Sequence, residues 1–276
     1  MNIITWIQQF SSPFLDIFFN ALTILGEETL GIAIFIIVFW TMNKDYGYKL
    51  LFAYLTSMSL NGCIKDFFKA PRPIGTEDIR SLRTKTATGY SFPSGHTQGI
   101  TTLWTSLSII INKVWFYILC GSIIILVGLS RLYLGVHWPK DVLFGIIFGI
   151  LSVLLSNYIY VKGKEKNNPY LFLYILIPLL ISLIFFNSTD SIKAIAGFSG
   201  AFIGYILEIK YINFTIPKNM YKKVIRLLSG IIIILFIKSG LKFFLPNMAL
   251  FHFIRYFILT FFIVFLGPLI FKKLKT

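Results

Sequence analysis

The sequence predicts an all-α membrane protein whose helices cross the bilayer many times. Of its 276 residues, 56% are hydrophobic and only 13% are charged, so the chain is too apolar to expose an ordinary water-facing surface. Long uncharged runs recur along its whole length, such as LFLYILIPLLISLIFF and FILTFFIVFLGPLIF. The sequence lacks the segments of alternating apolar and polar residues that form the strands of a membrane barrel. The hydrogen bonds of the backbone in lipid must therefore be made within helices.

The apolar runs predict ten helices, each bounded by polar or charged residues. They are expected at residues 3–25, 29–43, 48–68, 96–111, 114–134, 138–161, 170–187, 191–207, 224–245 and 248–271. Polar residues and Pro13 interrupt the first helix, so a helix lying in the membrane interface is its alternative. The polar segment VKGKEKNNP suggests a six-helix front part at 1–161, a linker at 162–169 and a four-helix rear part at 170–276.

The basic residues predict the orientation of the bundle. When the helices alternate across the bilayer, one side receives more than half of the lysines and arginines. The positive-inside rule makes that side cytoplasmic, together with the C-terminus, in a cell membrane. The net charge of +15 then needs no nucleic-acid partner. These residues are Lys44, Lys49, Lys113, Lys162, Lys164, Lys166, Lys210, Lys218, Lys222, Lys223, Arg226, Lys272, Lys273 and Lys275.

Three polar stretches converge on the opposite, extracytoplasmic side. The third helix ends in KDFFKAPRP at 65–73, the fourth begins at PSGH at 93–96, and the fifth and sixth meet at SRLYLGVHWPKD at 130–141. Odd helices end and even helices start on this side, so all three stretches belong to one face of the membrane. We therefore expect them to form one site.

The residue types in these stretches indicate a phosphate site. Lys65, Arg72 and Arg131 are cations beside the membrane with few acids to neutralise them. Ser94 and Gly95 precede a helix, where free backbone N–H groups and the positive end of the dipole favour phosphate, and glycine lets the backbone approach it closely. The missing anion is thus expected to be a phosphate.

Two histidines have different surroundings and therefore different expected roles. His137 and Asp141 are four residues apart at a helix start, so the carboxylate is expected to accept the Nδ1–H and to leave Nε2 unprotonated as a nucleophile. His96 lies on another helix, free to protonate a leaving oxygen and then to deprotonate water.

In order and spacing, K-x6-RP, PSGH and SR-x5-H-x3-D resemble the three signature motifs of the type 2 phosphatidic acid phosphatase superfamily of lipid phosphatases. The six front helices look like its bacterial phosphatidylglycerophosphatase B and undecaprenyl-diphosphatase members. The resemblance implies that His137 takes the phosphoryl group, that His96 is the acid and base, and that Asp141 orients the nucleophile. It implies no metal or cofactor. The phosphate-holding positions are Lys65, Arg72, Ser94, Gly95 and Arg131.

The substrate implied is a membrane lipid carrying a terminal phosphate, such as undecaprenyl diphosphate, phosphatidylglycerophosphate or phosphatidate. The loop at 75–90 is expected to choose among them. Its Arg80, Arg83 and Lys85 favour a second phosphate, and a solvated loop attracted to anionic lipid is the alternative. Tyr90 lines the site or simply anchors the loop at the interface.

Other functions remain open at this level. A phosphotransferase that delivers the same phosphohistidine to a hydroxyl group shares every motif, and a transporter or lipid-binding protein would explain the helices without the paired histidines. In the rear part, Lys238, Lys242, His252 and Arg255 suggest a second anionic-headgroup site or a dimer contact, with cations reaching to the interface as the alternative. The sequence leaves the oligomeric state open.

Overall fold

The computed structural model describes residues 3–274 as a bundle of α-helices, and this range contains no β-strand. The predicted all-α class is confirmed. Lys275, one of the lysines of the expected cytoplasmic tail, lies outside the described residues. The helices are α1 (Ile3–Gln8), α2 (Pro13–Ile24), α3 (Glu28–Met42), α4 (Lys44–Phe68), α5 (Gly95–Ile111), α6 (Val114–Tyr133), α7 (Pro139–Glu165), α8 (Leu173–Ser182), α9 (Thr189–Ile212), α10 (Met220–Phe244) and α11 (Ala249–Lys273).

The chain is a multi-pass membrane protein. Within residues 3–274, α6, α7, α9, α10 and α11 are long and apolar enough to cross a membrane, and α2 with α3 would form a sixth span bent by 46°. With 25 residues, α4 has the length of a span, but it buries polar side chains such as Asn61 and Lys65. We call the end of the bundle where α4 and α6 end the upper end, and the other the lower end.

The first predicted helix is divided, and 3–25 is wrong as one continuous element. The Ser12 hydroxyl accepts a hydrogen bond from the Leu15 N–H at 3.3 Å, and Pro13 fills the first helical position. This side-chain cap starts a new helix, α2, separate from α1. Gln8 of α1 donates to the Tyr133 carbonyl at 2.8 Å. The N-terminal helices therefore pack over the end of α6, at the upper end.

The largest core joins the front and rear parts of the chain. The ring centroid of Phe52, in α4, lies 3.9 Å from that of Phe172, a residue that follows the expected linker. Trp40 of α3 donates its indole N–H to the Ile263 carbonyl of α11 at 3.0 Å. Side chains from both sides of residues 162–169 thus share one buried cluster. The sixth predicted helix also runs further than expected, to Glu165.

Among the basic residues singled out in the rear part, Arg255 has a structural role. Its guanidinium donates to the carbonyl oxygens of Leu241 at 3.1 Å and Pro246 at 2.9 Å, and also to that of Leu245. These carbonyls lie at the end of α10, where a cation is favourable; the Leu241 oxygen also accepts from the Leu245 amide at 3.2 Å. Arg255 therefore holds the turn between α10 and α11.

Candidate active site

The structure brings the three polar stretches together at the upper end. Lys65, in the last turn of α4, donates to the Tyr90 carbonyl oxygen at 2.5 Å, and Arg72 donates to the same oxygen at 3.2 Å. The Ser94 amide, at the start of α5, donates to the Asp141 carbonyl at 2.9 Å. Backbone and side-chain hydrogen bonds therefore tie the ends of α4 and α6 to the starts of α5 and α7.

Arg72 is fixed by the surrounding loops. Its guanidinium donates to the carbonyl oxygens of Gly89 at 2.9 Å, Val136 at 2.9 Å and Thr88 at 2.7 Å. Its Nη1 also lies 3.0 Å from His137 Nε2. A guanidinium only donates, so this contact requires Nε2 to be the acceptor that carries the lone pair.

His137 is held as a neutral imidazole. Its side chain lies in the turn between α6 and α7 and is 1% exposed. Burial, followed by the positive charges of Arg131, Arg72 and Lys65, holds the pKa of His137 well below its usual 6.5. At neutral pH the lone pair on Nε2 is therefore present rather than protonated.

Asp141 is positioned mainly by groups other than His137. Its Oδ2 accepts from the Ser91 hydroxyl at 2.5 Å and from the Trp138 amide at 2.8 Å. His137 Nδ1 lies 3.4 Å from both this oxygen and Ser91 Oγ. A distance of 3.4 Å exceeds that of a normal N–H···O bond. The expected direct His–Asp bond is thus loose, and a serine sits beside it.

His96 and Arg131 present buried polar atoms without partners. In the described part of the chain, His96 Nε2 and both Nε and Nη2 of Arg131 are buried and make no hydrogen bond. The remaining terminal nitrogen of Arg131 donates to Thr23 Oγ1 at 2.7 Å. Unpaired buried donors cost free energy, so they mark either strain or a ligand site. Here they lie beside the cations, as a phosphate site requires.

The break between α2 and α3 forms one wall of the site. A Cβ atom on Gly26 would lie 3.1 Å from the His96 Cβ and 3.1 Å from a methyl of Val127. The glycine therefore lets the break approach His96 closely. Sequence reasoning missed Gly26, Thr23 and Ser91, because none of them belongs to a spaced motif. Ser91 had one signal, its position just before the PSGH stretch.

Ser94, Gly95 and Tyr90 lie at or just before the start of α5, and their expected roles at the phosphate stay predictions. The Ser94 hydroxyl caps α5, accepting from the Thr97 hydroxyl at 3.0 Å and the Thr97 amide at 3.4 Å. A Cβ on Gly95 would meet Asn61 Oδ1 at 3.4 Å, an ordinary contact, so space does not require glycine. Tyr90 supplies its carbonyl oxygen to Lys65, while its side chain is 38% exposed.

The structure gives two of the loop arginines protein partners, with which a second phosphate would have to compete, and the second phosphate stays a prediction. Arg80 forms a bidentate pair with Asp16 at 2.8 and 2.6 Å. Arg83 pairs with Glu27. Lys85 is exposed in the turn Thr84–Thr86. The acids come from the N-terminal helices, so the two arginines anchor the 75–90 loop to them.

Metal-ligand geometry is not found in the part of the chain that the structure describes. Residues 3–274 contain no group of three or more histidine, cysteine or acidic side chains that would hold a metal ion. Cys63 and Cys120 are free thiols. The side chains gathered at the site are cations, imidazoles, the Ser91 hydroxyl and the carboxylate of Asp141.

Comparisons with known proteins agree with this geometry. Residues 46–165 match the model of the PAP2 superfamily, and residues 192–276 match that of the PAP2 superfamily phosphatase, transmembrane extension. A probable sphingosine-1-phosphate phosphatase of Dictyostelium discoideum is 30% identical over 206 residues, 67% of this chain and 49% of the relative. Phosphatidylglycerophosphatase B of Bacillus subtilis is 29% identical over 169 residues, 56% of this chain and 77% of the relative.

The solved structure of LpxE from Aquifex aeolicus superimposes with a TM-score of 0.52 at 30% identity, covering 56% of this chain and 93% of that one. The chain spans about half of the length of the Dictyostelium relative. The first matched region contains every residue from Lys65 to Asp141, and the second contains most of the rear helices. By sequence, fold and the order of its motifs, the chain belongs to the PAP2 superfamily.

Proposed function

We propose that this protein is a membrane lipid phosphatase that releases phosphate from a lipid phosphate monoester through a phosphohistidine at His137. The observation that carries the proposal is the 3.0 Å contact in which His137 Nε2 accepts from Arg72. It indicates a neutral imidazole whose lone pair faces cations, an arrangement suited to attack on a phosphate drawn in by the same charges.

In the first step, His137 Nε2 forms a bond to phosphorus while the bond from phosphorus to the lipid oxygen breaks in line. Burial and the charge of Arg131 lower the pKa of His96 to about 3, and the negative charge of the bound phosphate offsets these cations so that the imidazole takes up a proton from solvent. His96 then gives this proton to the departing lipid oxygen. Arg72 exchanges its contact with Nε2 for one with a phosphoryl oxygen. Together with Lys65 and Arg131 it neutralises the charge on the equatorial oxygens, the main electrostatic requirement of phosphoryl transfer.

In the second step, His96 removes a proton from a water molecule. The water oxygen bonds to phosphorus, the bond from phosphorus to Nε2 breaks, and inorganic phosphate leaves. The net reaction converts one lipid phosphate and one water into a lipid alcohol and phosphate. Asp141, with Ser91 and the Trp138 amide on its Oδ2, holds the imidazole ring in position throughout.

A monoester headgroup is favoured over a diphosphate. The argument for a second phosphate rested on the 75–90 loop, and Arg80 and Arg83 of that loop are paired with Asp16 and Glu27. The names of the Dictyostelium and Bacillus relatives refer to substrates with a terminal phosphate monoester, whereas an undecaprenyl-diphosphatase of Sulfolobus acidocaldarius, 29% identical over 143 residues, is named for a diphosphate. The preference for a monoester therefore rests on the paired loop arginines. The positive-inside distribution of lysines supports a site on the extracytoplasmic face of a cell membrane.

Trapping the covalent intermediate tests the proposal. Purified protein is mixed with a lipid labelled in its phosphate, with EDTA present, and quenched in alkaline denaturant, which preserves phosphohistidine. We expect label on the wild type and none on His137→Ala. The chain has 3 histidines, so His252→Ala is a matched control that should retain the label.

Label or near-normal phosphate release in His137→Ala would show that another group is the nucleophile. The destination of the label separates the related activities. Inorganic phosphate indicates hydrolysis, whereas label on an added lipid or sugar alcohol indicates a phosphotransferase.

A further inference from the structure

A polar cavity lies at the lower end of the bundle, far from His96 and His137. Its volume is about 390 Å³, and its lining includes Asn213, Phe214, Lys222, Arg226, Phe271 and Lys272. The 24 residues of α9 separate the two ends, which corresponds to roughly 36 Å along the helix axis. The cavity is formed by the rear helices and belongs to no part of the proposed catalytic site.

The charge of this cavity is positive. Lys222, Arg226 and Lys272 line it, and the described lining residues include no aspartate or glutamate. The neighbouring acid, Glu208, is buried and accepts from the Tyr48 hydroxyl at 2.6 Å, from Lys44 at 3.3 Å and from the amide of the cavity-lining Phe214 at 2.8 Å. Its charge lies beside the cavity and is paired with Lys44, so the three lining cations leave the cavity positive.

Arg226 and Lys272 are held in place by hydrogen bonds, while Lys222 is exposed at the rim of the cavity. Arg226 is 3% exposed, and its guanidinium donates to the carbonyl oxygens of Trp40 at 3.1 Å and Thr215 at 3.3 Å. The same group lies over the Phe271 ring, 5.2 Å from the centroid. Lys272 donates to the Ile212 carbonyl at 2.6 Å. Preorganised cations bind an anion with less loss of side-chain entropy.

The geometry points to a binding site for the phosphate group of an anionic phospholipid headgroup at the lower end. The cavity volume lies within the range of small-ligand sites, about 300–1,000 Å³. Basic pockets between membrane helices on the cytoplasmic side recognise such headgroups. Met220 and Tyr221, which precede Lys222, are 70% and 72% exposed and offer apolar surface for acyl chains. A free phosphate ion has the same recognition chemistry, and the experiment separates the two.

Lipid binding to the full chain is measured by native mass spectrometry in detergent, titrating phosphatidylglycerol and, separately, phosphatidylcholine. The Lys222→Gln/Lys272→Gln variant should bind phosphatidylglycerol roughly 25-fold more weakly, because each cation removed weakens binding about fivefold. Lys113→Gln/Lys166→Gln removes two exposed lysines from the same end but outside the cavity, and should bind as the wild type does. Lys222→Glu, a single change at an exposed position, should also weaken binding.

Phosphate release by each variant reports that the upper end is intact, because none of these lysines lies there. Equal losses in the two double variants would overturn the site and leave only diffuse surface charge. Equal affinity of the wild type for both lipids would also overturn it. Displacement of phosphatidylglycerol by millimolar inorganic phosphate would support the phosphate site and assign it a soluble source, whereas retention of the lipid supports a headgroup.

Discussion

Ser91→Ala tests how the nucleophile is oriented. In the structure Ser91 donates to Asp141 Oδ2 at 2.5 Å and lies 3.4 Å from His137 Nδ1. It is fully buried, and its amide is held by the Ala70 carbonyl at 2.9 Å. The alanine variant keeps the backbone contact and removes only the hydroxyl. We expect the carboxylate, and with it the imidazole, to lose its fixed position.

The size of the effect follows from the number of donors. Oδ2 of Asp141 accepts from Ser91 and Trp138, while Oδ1 has no partner among the described residues. A hydrogen bond to a charged group contributes about 1.5–3 kcal/mol. If that loss is expressed in the transition state, kcat falls by between roughly tenfold and 150-fold. KM should change little, because Ser91 bonds the carboxylate and not the phosphate.

The assay is phosphate release at saturating lipid phosphate in detergent, with thermal unfolding measured in parallel. Ser91→Thr keeps the hydroxyl and should stay closer to the wild type in kcat than the alanine variant. A kcat within twofold of wild type in Ser91→Ala would refute the reasoning, because Asp141 would then orient His137 without help. A raised KM with unchanged kcat would instead place Ser91 in substrate binding.

The remaining predictions concern protonation and the loop. Burial and nearby cations lower the pKa of His137, so the nucleophile remains neutral down to a pH below its usual 6.5. The fall in kcat/KM that marks protonation of His137 should therefore occur below pH 6.5. Arg72→Gln removes a positive charge and raises the pKa of His137, so the fall in kcat/KM should move to higher pH. A fall at the same pH as in the wild type would argue against His137 as the group that titrates. Gly135→Ala should destabilise the fold by about 1–3 kcal/mol in thermal unfolding, because φ is +63° and the new Cβ would lie 2.3 Å from the Arg80 carbonyl oxygen. Gly89→Ala has the same φ of +63° and open space, so an equal loss there would show that the close approach is unimportant.

The membrane helices were predictable because a bilayer allows few solutions. A backbone in hydrocarbon must be helical, so an uncharged run of sufficient length marks a span. Of the nine helices predicted after the first, eight differ from the structure only in where they begin and end. The remaining one, predicted at 170–187, begins with a short turn before α8. The first prediction failed because a serine cap followed by proline starts a new helix within an otherwise apolar region.

The gathering of Lys65, His96 and His137 at one end was also determined by the sequence. Each helix reverses the direction of the chain, so the side on which a motif lies follows from counting helices. Charge type and motif spacing then indicated phosphate, because cations without nearby acids and a helix start both favour an anion.

Tertiary structure alone decided the partners of these groups. Asp16 pairs with Arg80, and Thr23 accepts from Arg131, across 64 and 108 residues of sequence. These contacts exist because α2 packs over the end of α6, a docking that no local pattern specifies. The sequence shows which side chains can form hydrogen bonds. Which atoms become their partners depends on which surfaces meet when the helices pack.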